Sequence, residues 1–127
     1  DNARILSLSA AARYTASMTR DLDLAKRLNI YADDQIAWVL GLNPFDTCML
    51  EGAGRHNIDY YFQNQYDFIG APGGIVNGIT SGIEDEEGIE FVMNPDEHPE
   101  IQDNWRCAEQ WLPHASWFLY AVGLKMK

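Results

Sequence analysis

Between Arg55 and Arg106 the sequence contains no lysine and no arginine. The same interval carries Asp59, Asp67, Glu84, Asp85, Glu86, Glu87, Glu90, Asp96, Glu97, Glu100 and Asp103. A phosphate backbone would be repelled by such a stretch, and the whole chain has a net charge of −10. Nucleic acid is therefore set aside as a partner, and an anionic membrane surface with it. The acid run reads first as a solvated loop surface, with a divalent-ion site or a cleft for a neutral polar substrate as the alternatives.

Other absences narrow the field further. No run of 18 apolar residues exists, so no transmembrane helix is expected. The two cysteines, Cys48 and Cys107, are too few for a disulfide scaffold. The sequence leaves one disulfide and two buried thiols both open. His56, His98 and His114 lack metal-ligand spacing with each other or with the cysteines, so no metal site is expected. There is no Walker loop, nucleophile elbow or zinc signature. No signal peptide is visible, and the chain opens with Asp1-Asn2-Ala3-Arg4 rather than methionine. It reads as the interior of a longer polypeptide, so localisation is not settled by that absence.

What is present suits one globular domain over 1–127, with 46% hydrophobic and 22% charged residues. Four tryptophans and six tyrosines exceed what a small core needs, which leaves aromatic side chains for a ligand surface. Three segments read as helix. The first covers 3–18, with Ile5, Leu8, Ala12 and Ala16 at helical spacing. The second covers 22–40, with Asp21 as N-cap, Gly41 as a left-handed stop, and Leu24, Leu28, Tyr31, Gln35/Ile36 and Val39 along one face. The third covers 113–125. Pro113 opens it, and the apolar residues from Ala115 to Leu124 surround it almost completely, which predicts burial among other elements. His114 and Ser116, both in its first turn, point to a pocket at that end. From 43 to 104 runs a glycine-punctuated stretch rich in Tyr, Phe, Ile and Asn, read as a long ordered loop with β-like stretches at 58–62 and 89–93. Three helices do not easily bury the last one. Its cover is expected from preceding helices of the parent chain or from self-association.

The segment most informative for chemistry is Asp103-Asn104-Trp105-Arg106-Cys107-Ala108-Glu109-Gln110-Trp111-Leu112-Pro113-His114. A carboxyl flanked by two tryptophans at the approach to a buried helix has the surroundings that favour its neutral form. A neutral carboxyl can hand a proton to a leaving oxygen. The helix N-terminus and Arg106 oppose that, so the residues alone leave two readings of Glu109: a helix cap or Arg106 partner, and a general acid. Trp105, Trp111, Tyr60 and Tyr61 are candidate stacking platforms for sugar rings, or core residues. His114 is a candidate hydrogen-bonding neighbour of Glu109, and Asp103 a candidate for orienting the 105–109 turn. Asp33-Asp34 reads as a solvated helix face.

This segment resembles the C-terminal signature of family-9 glycoside hydrolases, endoglucanase-type enzymes with an (α/α)6 toroid. Trp105 takes the place of the family's tyrosine, Ala108 that of its asparagine and Glu109 that of the catalytic acid. Trp117-Phe118-Leu119-Tyr120-Ala121 matches the final apolar segment. Upstream, Gln35-Ile36-Ala37-Trp38-Val39-Leu40-Gly41-Leu42-Asn43-Pro44 is similar to the helix ending in Leu-Gly-x-Asn-Pro, and Gly70-Ala71-Pro72-Gly73-Gly74 to a glycine-rich loop. The three lie in the family's order. The chain departs after the acid, where Pro113-His114-Ala115 replaces Asp-Tyr-Asn, and the His-His-Arg substrate motif is missing, although Arg55-His56 lies nearby. The resemblance implies a mainly α fold, the C-terminal portion of a toroid. It implies inverting hydrolysis of a poly- or oligosaccharide with Glu109 as general acid, and a general base supplied from upstream of this chain. It also implies no cofactor and an exported parent, secreted, periplasmic or at the cell surface. A non-catalytic carbohydrate- or protein-binding module of similar shape is the competing expectation.

Overall fold

The computed structural model describes residues 1–63, 65, 70–81, 88–89, 91 and 102–126. Among them are four helices: α1 (Asn2–Met18), α2 (Leu22–Val39), α3 (Trp105–Ala108) and α4 (Leu112–Lys125). The fold is mainly helical, and three of the four are the helices expected. Asp21 caps α2, its side chain accepting the Leu24 N–H at 3.0 Å. Gly41 follows the end of α2 at φ +112°, a backbone state that disfavours any side chain. The short α3 lies between the segment read as loop and the last helix, where no helix was expected.

α1 lies between α2 and α4 and packs on both. Small residues allow the close approach: Ser9, Ala10, Ala12 and Ala16 of α1 and Ala32 of α2 are all buried. Ser9 donates its hydroxyl to the Ala32 carbonyl at 2.8 Å, so the buried Ser9 hydroxyl is satisfied at that crossing. The inward stripe of α1 differs from expectation. Ala12 and Ala16 are buried and Ile5 packs on the core as expected, but Leu6, Ser9 and Ala10 also face in, while Leu8 is about half exposed at 47%. On α2, Ile36 and Val39 are buried as expected, whereas Leu24 and Tyr31 face out. The reason is common to both: the helices form one layer covered on one side, so a narrow stripe of small residues suffices. Asp34 is exposed, as the sequence suggested. Asp33 instead accepts from Arg13 of α1 and from Lys125 of α4, the latter at 2.8 Å, and so joins three helices.

The long segment between α2 and α4 folds over one end of this layer. It contains no strand among the described residues, but three extended passes lie side by side. Residues 49–51 pair with 74–76 through the Leu50–Ile75 bridge, and 76–78 pair with 107–110 through the Val76–Gln110 bridge. Supporting bonds run from Val76 N–H to Met49 O at 3.1 Å and from Gly78 N–H to Cys107 O at 2.9 Å. Of the β-like stretches expected, 58–62 reaches only an isolated Phe62–Gln65 bridge. The stretch 89–93 lies largely outside the described residues, as do His98 and most of the acid run.

Asparagines hold this region together. Asn57 Nδ2 reaches the carbonyls of Cys48, Leu50 and Ala53 at 2.9–3.1 Å, and its Oδ1 accepts Gly52 N–H. The Asn104 side chain accepts Tyr61 N–H and donates to Asp59 O, both at 2.8 Å. Asn43, in the Asn-Pro motif, closes the turn after α2 by donating to Trp38 O and Thr47 O. Asn2, fully buried at the start of α1, donates to Val76 O at 2.8 Å. Under these amides sits a shared core of Leu6, Ala10, Ile36, Val39, Met49, Ile58, Ile75, Val76, Ala108 and Ala121. Cys48 and Cys107 are both buried thiols with no disulfide between them, so the question of a disulfide closes in favour of two thiols.

The last helix was expected to need cover from outside these three helices, and within this chain it is largely uncovered. Only His114 and Ala121 of α4 are buried, while Trp117, Leu119 and Tyr120 face outward, Leu119 at 71% exposure. One layer of three helices covers only the side turned toward α1. Among the described residues no helix is long and apolar enough to cross a membrane.

Candidate active site

Glu109 ends α3. Its N–H donates to Trp105 O at 3.0 Å, and its backbone then turns extended. Its own carbonyl accepts Asn77 N–H at 2.8 Å. The main chain is thus fixed from both sides, which fixes the direction in which the carboxyl leaves it. Glu109 caps the C-terminus of α3 rather than the N-terminus of α4, so the side chain is free for other work.

Two side chains hold the carboxyl. Trp111 donates its indole N–H to Oε2 at 2.7 Å, and the Tyr60 hydroxyl lies 3.2 Å from Oε1. The tryptophans do not enclose Glu109 as a dry box: Trp105 is 37% and Trp111 56% exposed. Trp111 acts through its N–H more than through burial. No ion pair joins Arg106 to Glu109 among the described residues; the Arg106 guanidinium donates to Ser81 O at 2.9 Å. Burial raises the pKa of the Tyr60 phenol, and the charge of Glu109 beside it adds to the effect. Tyr60 therefore keeps its proton through neutral pH.

Glu109 and Trp111 stand where two clefts meet. One, of about 350 Å³, is lined by Tyr60, Gly70, Ala71, Ala108 and Gln110 together with Glu109 and Trp111. The other, of about 170 Å³, is lined by Asp1, Asn77, Thr80, Trp105, Arg106 and His114 together with the same two residues. Of the residues singled out in the sequence, Trp105, Trp111, His114 and Tyr60 are thus brought around Glu109. Tyr61 is not. It lines neither cleft, and its main chain is clasped by Asn104. Arg55 and His56 pair with Asp46 on an exposed turn and also line neither cleft. No group of three or more His, Cys, Asp or Glu capable of holding a metal occurs among the described residues.

Sequence reasoning missed three contributors. Gln110 accepts Ala71 N–H on Oε1 at 2.9 Å and so pins the glycine-rich loop against the Glu109 segment. A side chain at Gly74 would overlap the Gln110 carboxamide, which is why the loop must be bare there. Asn77 anchors the Glu109 carbonyl. Asp1, besides capping α1 through Ala3 N–H at 2.8 Å, lies 3.0 Å from His114 Nε2. A carboxylate only accepts, so the His114 proton resides on Nε2 in this contact. Burial lowers the His114 pKa and favours the neutral ring. No local signal announces a contact spanning nearly the whole chain.

A scan against protein-family models matches no family, and a search of the curated proteins returns no match.

Proposed function

We propose that this chain is the C-terminal part of a glycoside hydrolase catalytic domain, of the family-9 toroid type, and that Glu109 is its general acid. The observation that carries the reading is the position of the Glu109 carboxyl, on the divide between two clefts edged by Tyr60, Trp105 and Trp111. A glycosidic oxygen has one sugar on each side. A proton donor set between two ring-sized spaces, with aromatic faces available to both, suits that geometry.

The hydrogen bonds around Glu109 accommodate both of its protonation states. Trp111 is only a donor, and it holds Oε2 throughout. The Tyr60 hydroxyl can accept from or donate to Oε1. With Glu109 protonated, Tyr60 serves as acceptor until the proton passes to the leaving oxygen. With the carboxylate formed, Tyr60 turns its hydrogen inward and stabilises the new charge. The acidic composition of the chain agrees with a neutral substrate such as a polysaccharide. An exported parent follows from the same reading.

The test is Glu109→Gln in the full-length protein, assayed for reducing ends released from β-glucan, xylan and mannan. Loss of a general acid costs about 10²–10⁴-fold in rate. Unchanged hydrolysis in Glu109→Gln would sink the assignment. Glycan binding that survives in both forms, with hydrolysis in neither, would point to a binding module instead.

A further inference from the structure

Of the chain's asparagines only Asn77 is followed by glycine. Asparagine is a chemically labile residue, and most so before glycine, whose unhindered nitrogen reaches the carboxamide carbon. Asn77 is also the residue to which two other segments are tied. Its carbonyl accepts Asn2 N–H at 2.8 Å, at the head of α1, and its N–H donates to Glu109 O at 2.8 Å. We propose that Asn77-Gly78 is a site of spontaneous deamidation restrained by the folded backbone, and that conversion there unfastens the central pass from α1. The inference goes beyond the reading of Glu109 as an acid and does not depend on it.

Packing imposes the reactive pair. Gly78 has φ +79°, in the left-handed region that disfavours a side chain. A Cβ there would lie 2.6–2.7 Å from the carboxamide atoms of Asn2, which is fully buried. Asn2 Nδ2 donates to Val76 O at 2.8 Å, so it cannot move aside without stripping that carbonyl of its partner. A residue whose side chain would slow ring closure is therefore excluded at 78.

The two reacting groups are held very differently. The Asn77 carboxamide is partly exposed beside the smaller cleft, and its contact from Nδ2 to Trp105 O is long at 3.4 Å. The Gly78 nitrogen is clamped. Its N–H donates to Cys107 O at 2.9 Å, and the neighbouring Val76–Gln110 bridge keeps this stretch alongside 107–110. To react, the nitrogen must give up that proton and turn toward Asn77 Cγ, which requires the pass to part from Cys107. Local opening, rather than exposure of the carboxamide, sets the rate. In the step, a bond forms from Gly78 N to Asn77 Cγ while the Gly78 proton goes to base. The bond from Cγ to Nδ2 breaks, and Nδ2 takes up a proton and leaves as ammonia. Water then adds to one carbonyl of the cyclic imide, giving aspartate or isoaspartate. In isoaspartate the peptide bond runs through Cγ, the main chain is longer by one carbon, and the former Asn77 carbonyl is part of a free carboxylate. The bonds to Asn2 and Cys107 then no longer fall in register, so the pass cannot close as before.

Peptide mapping by mass spectrometry on the full chain tests both halves of the proposal. In mildly alkaline buffer the peptide spanning 77–78 should convert from amide to acid quickly in the denaturant-unfolded chain and slowly in the folded one. Asn104, followed by the bulky Trp105, serves as the internal control. Urea below the unfolding transition should speed conversion in the same proportion as hydrogen exchange at Gly78 N–H. Asn2→Ala, which removes the donor to Val76 O, should raise both by on the order of tenfold, the size of one buried hydrogen bond left unmade. Conversion as fast in the folded chain as in the unfolded one, or insensitive to the rate of Gly78 exchange, overturns the restraint. The isoaspartyl form, isolated by chromatography, should exchange Asn2 N–H faster than the parent while the α1–α2 amides stay slow. Exchange at Asn2 identical to that of the parent overturns the unfastening.

Discussion

The helical layer and the segment folded over its end are held by different forces. α1, α2 and α4 are regular, and they meet through small side chains: Ser9, Ala10, Ala12, Ala16 and Ala32. Much of their large apolar surface, including Leu8, Tyr31, Trp117 and Leu119, points away from the chain's own core. Among its described residues the overlying segment has almost no regular structure, yet it supplies Met49, Ile58, Ile75, Val76 and Ala108 to that core. Where strands would satisfy backbone groups by pairing, Asn43, Asn57 and Asn104 satisfy them with carboxamides. An amide side chain offers both donors and an acceptor, so a single asparagine stands in for a short run of ladder. The contrast bears on function. A proton donor and its partners need fixed positions and a surface open to substrate. An irregular segment with pinned carbonyls gives both, whereas a helix face gives only the first.

The contrast is open to direct attack. The largest effect belongs to the rate: Glu109→Gln acts on the clefts and should leave both regions folded, with unchanged far-UV circular dichroism. Next come the two regions' supports. Leu6→Ala empties a fully buried site facing both regions and should cost about 2–5 kcal/mol in denaturant unfolding. Asn104→Ala strips a buried acceptor from Tyr61 N–H and a donor from Asp59 O, and should cost about 1–3 kcal/mol. Hydrogen exchange separates the two. Asn104→Ala should speed exchange at Tyr61 and leave the α1–α2 amides slow. Uniform acceleration everywhere would mean that the regions are one cooperative unit.

A smaller effect is set by pH. Burial holds the His114 pKa below its ordinary value of 6.5, so the unfolded chain takes up a proton that the folded chain resists. The stability this ring contributes is complete above about pH 6.5 and falls as the pH drops toward its lowered folded value. Chemical denaturation of His114→Gln should show a flatter loss over that window than the parent. An identical slope would place the titration elsewhere. The smallest effect is expected on the outer face of α4. In the 127-residue chain Leu119→Gln should change stability by no more than about 0.5 kcal/mol, since the residue is 71% exposed.

How much was legible can be followed residue by residue. Helix existence and ends were readable because caps and stops are local chemistry: Asp21 before α2, Gly41 after it, Pro113 near the start of α4. The inward faces of α1 and α2 were read less well. The periodic stripe placed Ala12 and Ala16 correctly, but it included Leu8, Leu24 and Tyr31, which face out, and it passed over Ser9, Ala10 and Ala32, the small residues at the close helix crossing. The segment around Glu109 was readable as a cluster of chemically useful side chains. Tyr60 was identified as an aromatic but not as a carboxyl partner, and Gln110 and Asp1 carried no local mark of their role.

The sequence by itself determined the helices, the acidic character that would repel a polyanion, and the set of side chains from Trp105 to His114 available for chemistry. These follow from neighbours along the chain, a few residues apart. Only the tertiary structure decided that Tyr60 meets Glu109, that the cysteines stay apart, that α4 shows its apolar face outward, and that Asp1 lies against His114. Each of those is a contact, or a missing contact, between residues far apart in the chain. Such contacts are set by which backbone carbonyls the asparagines capture and by where one helical layer runs out of cover.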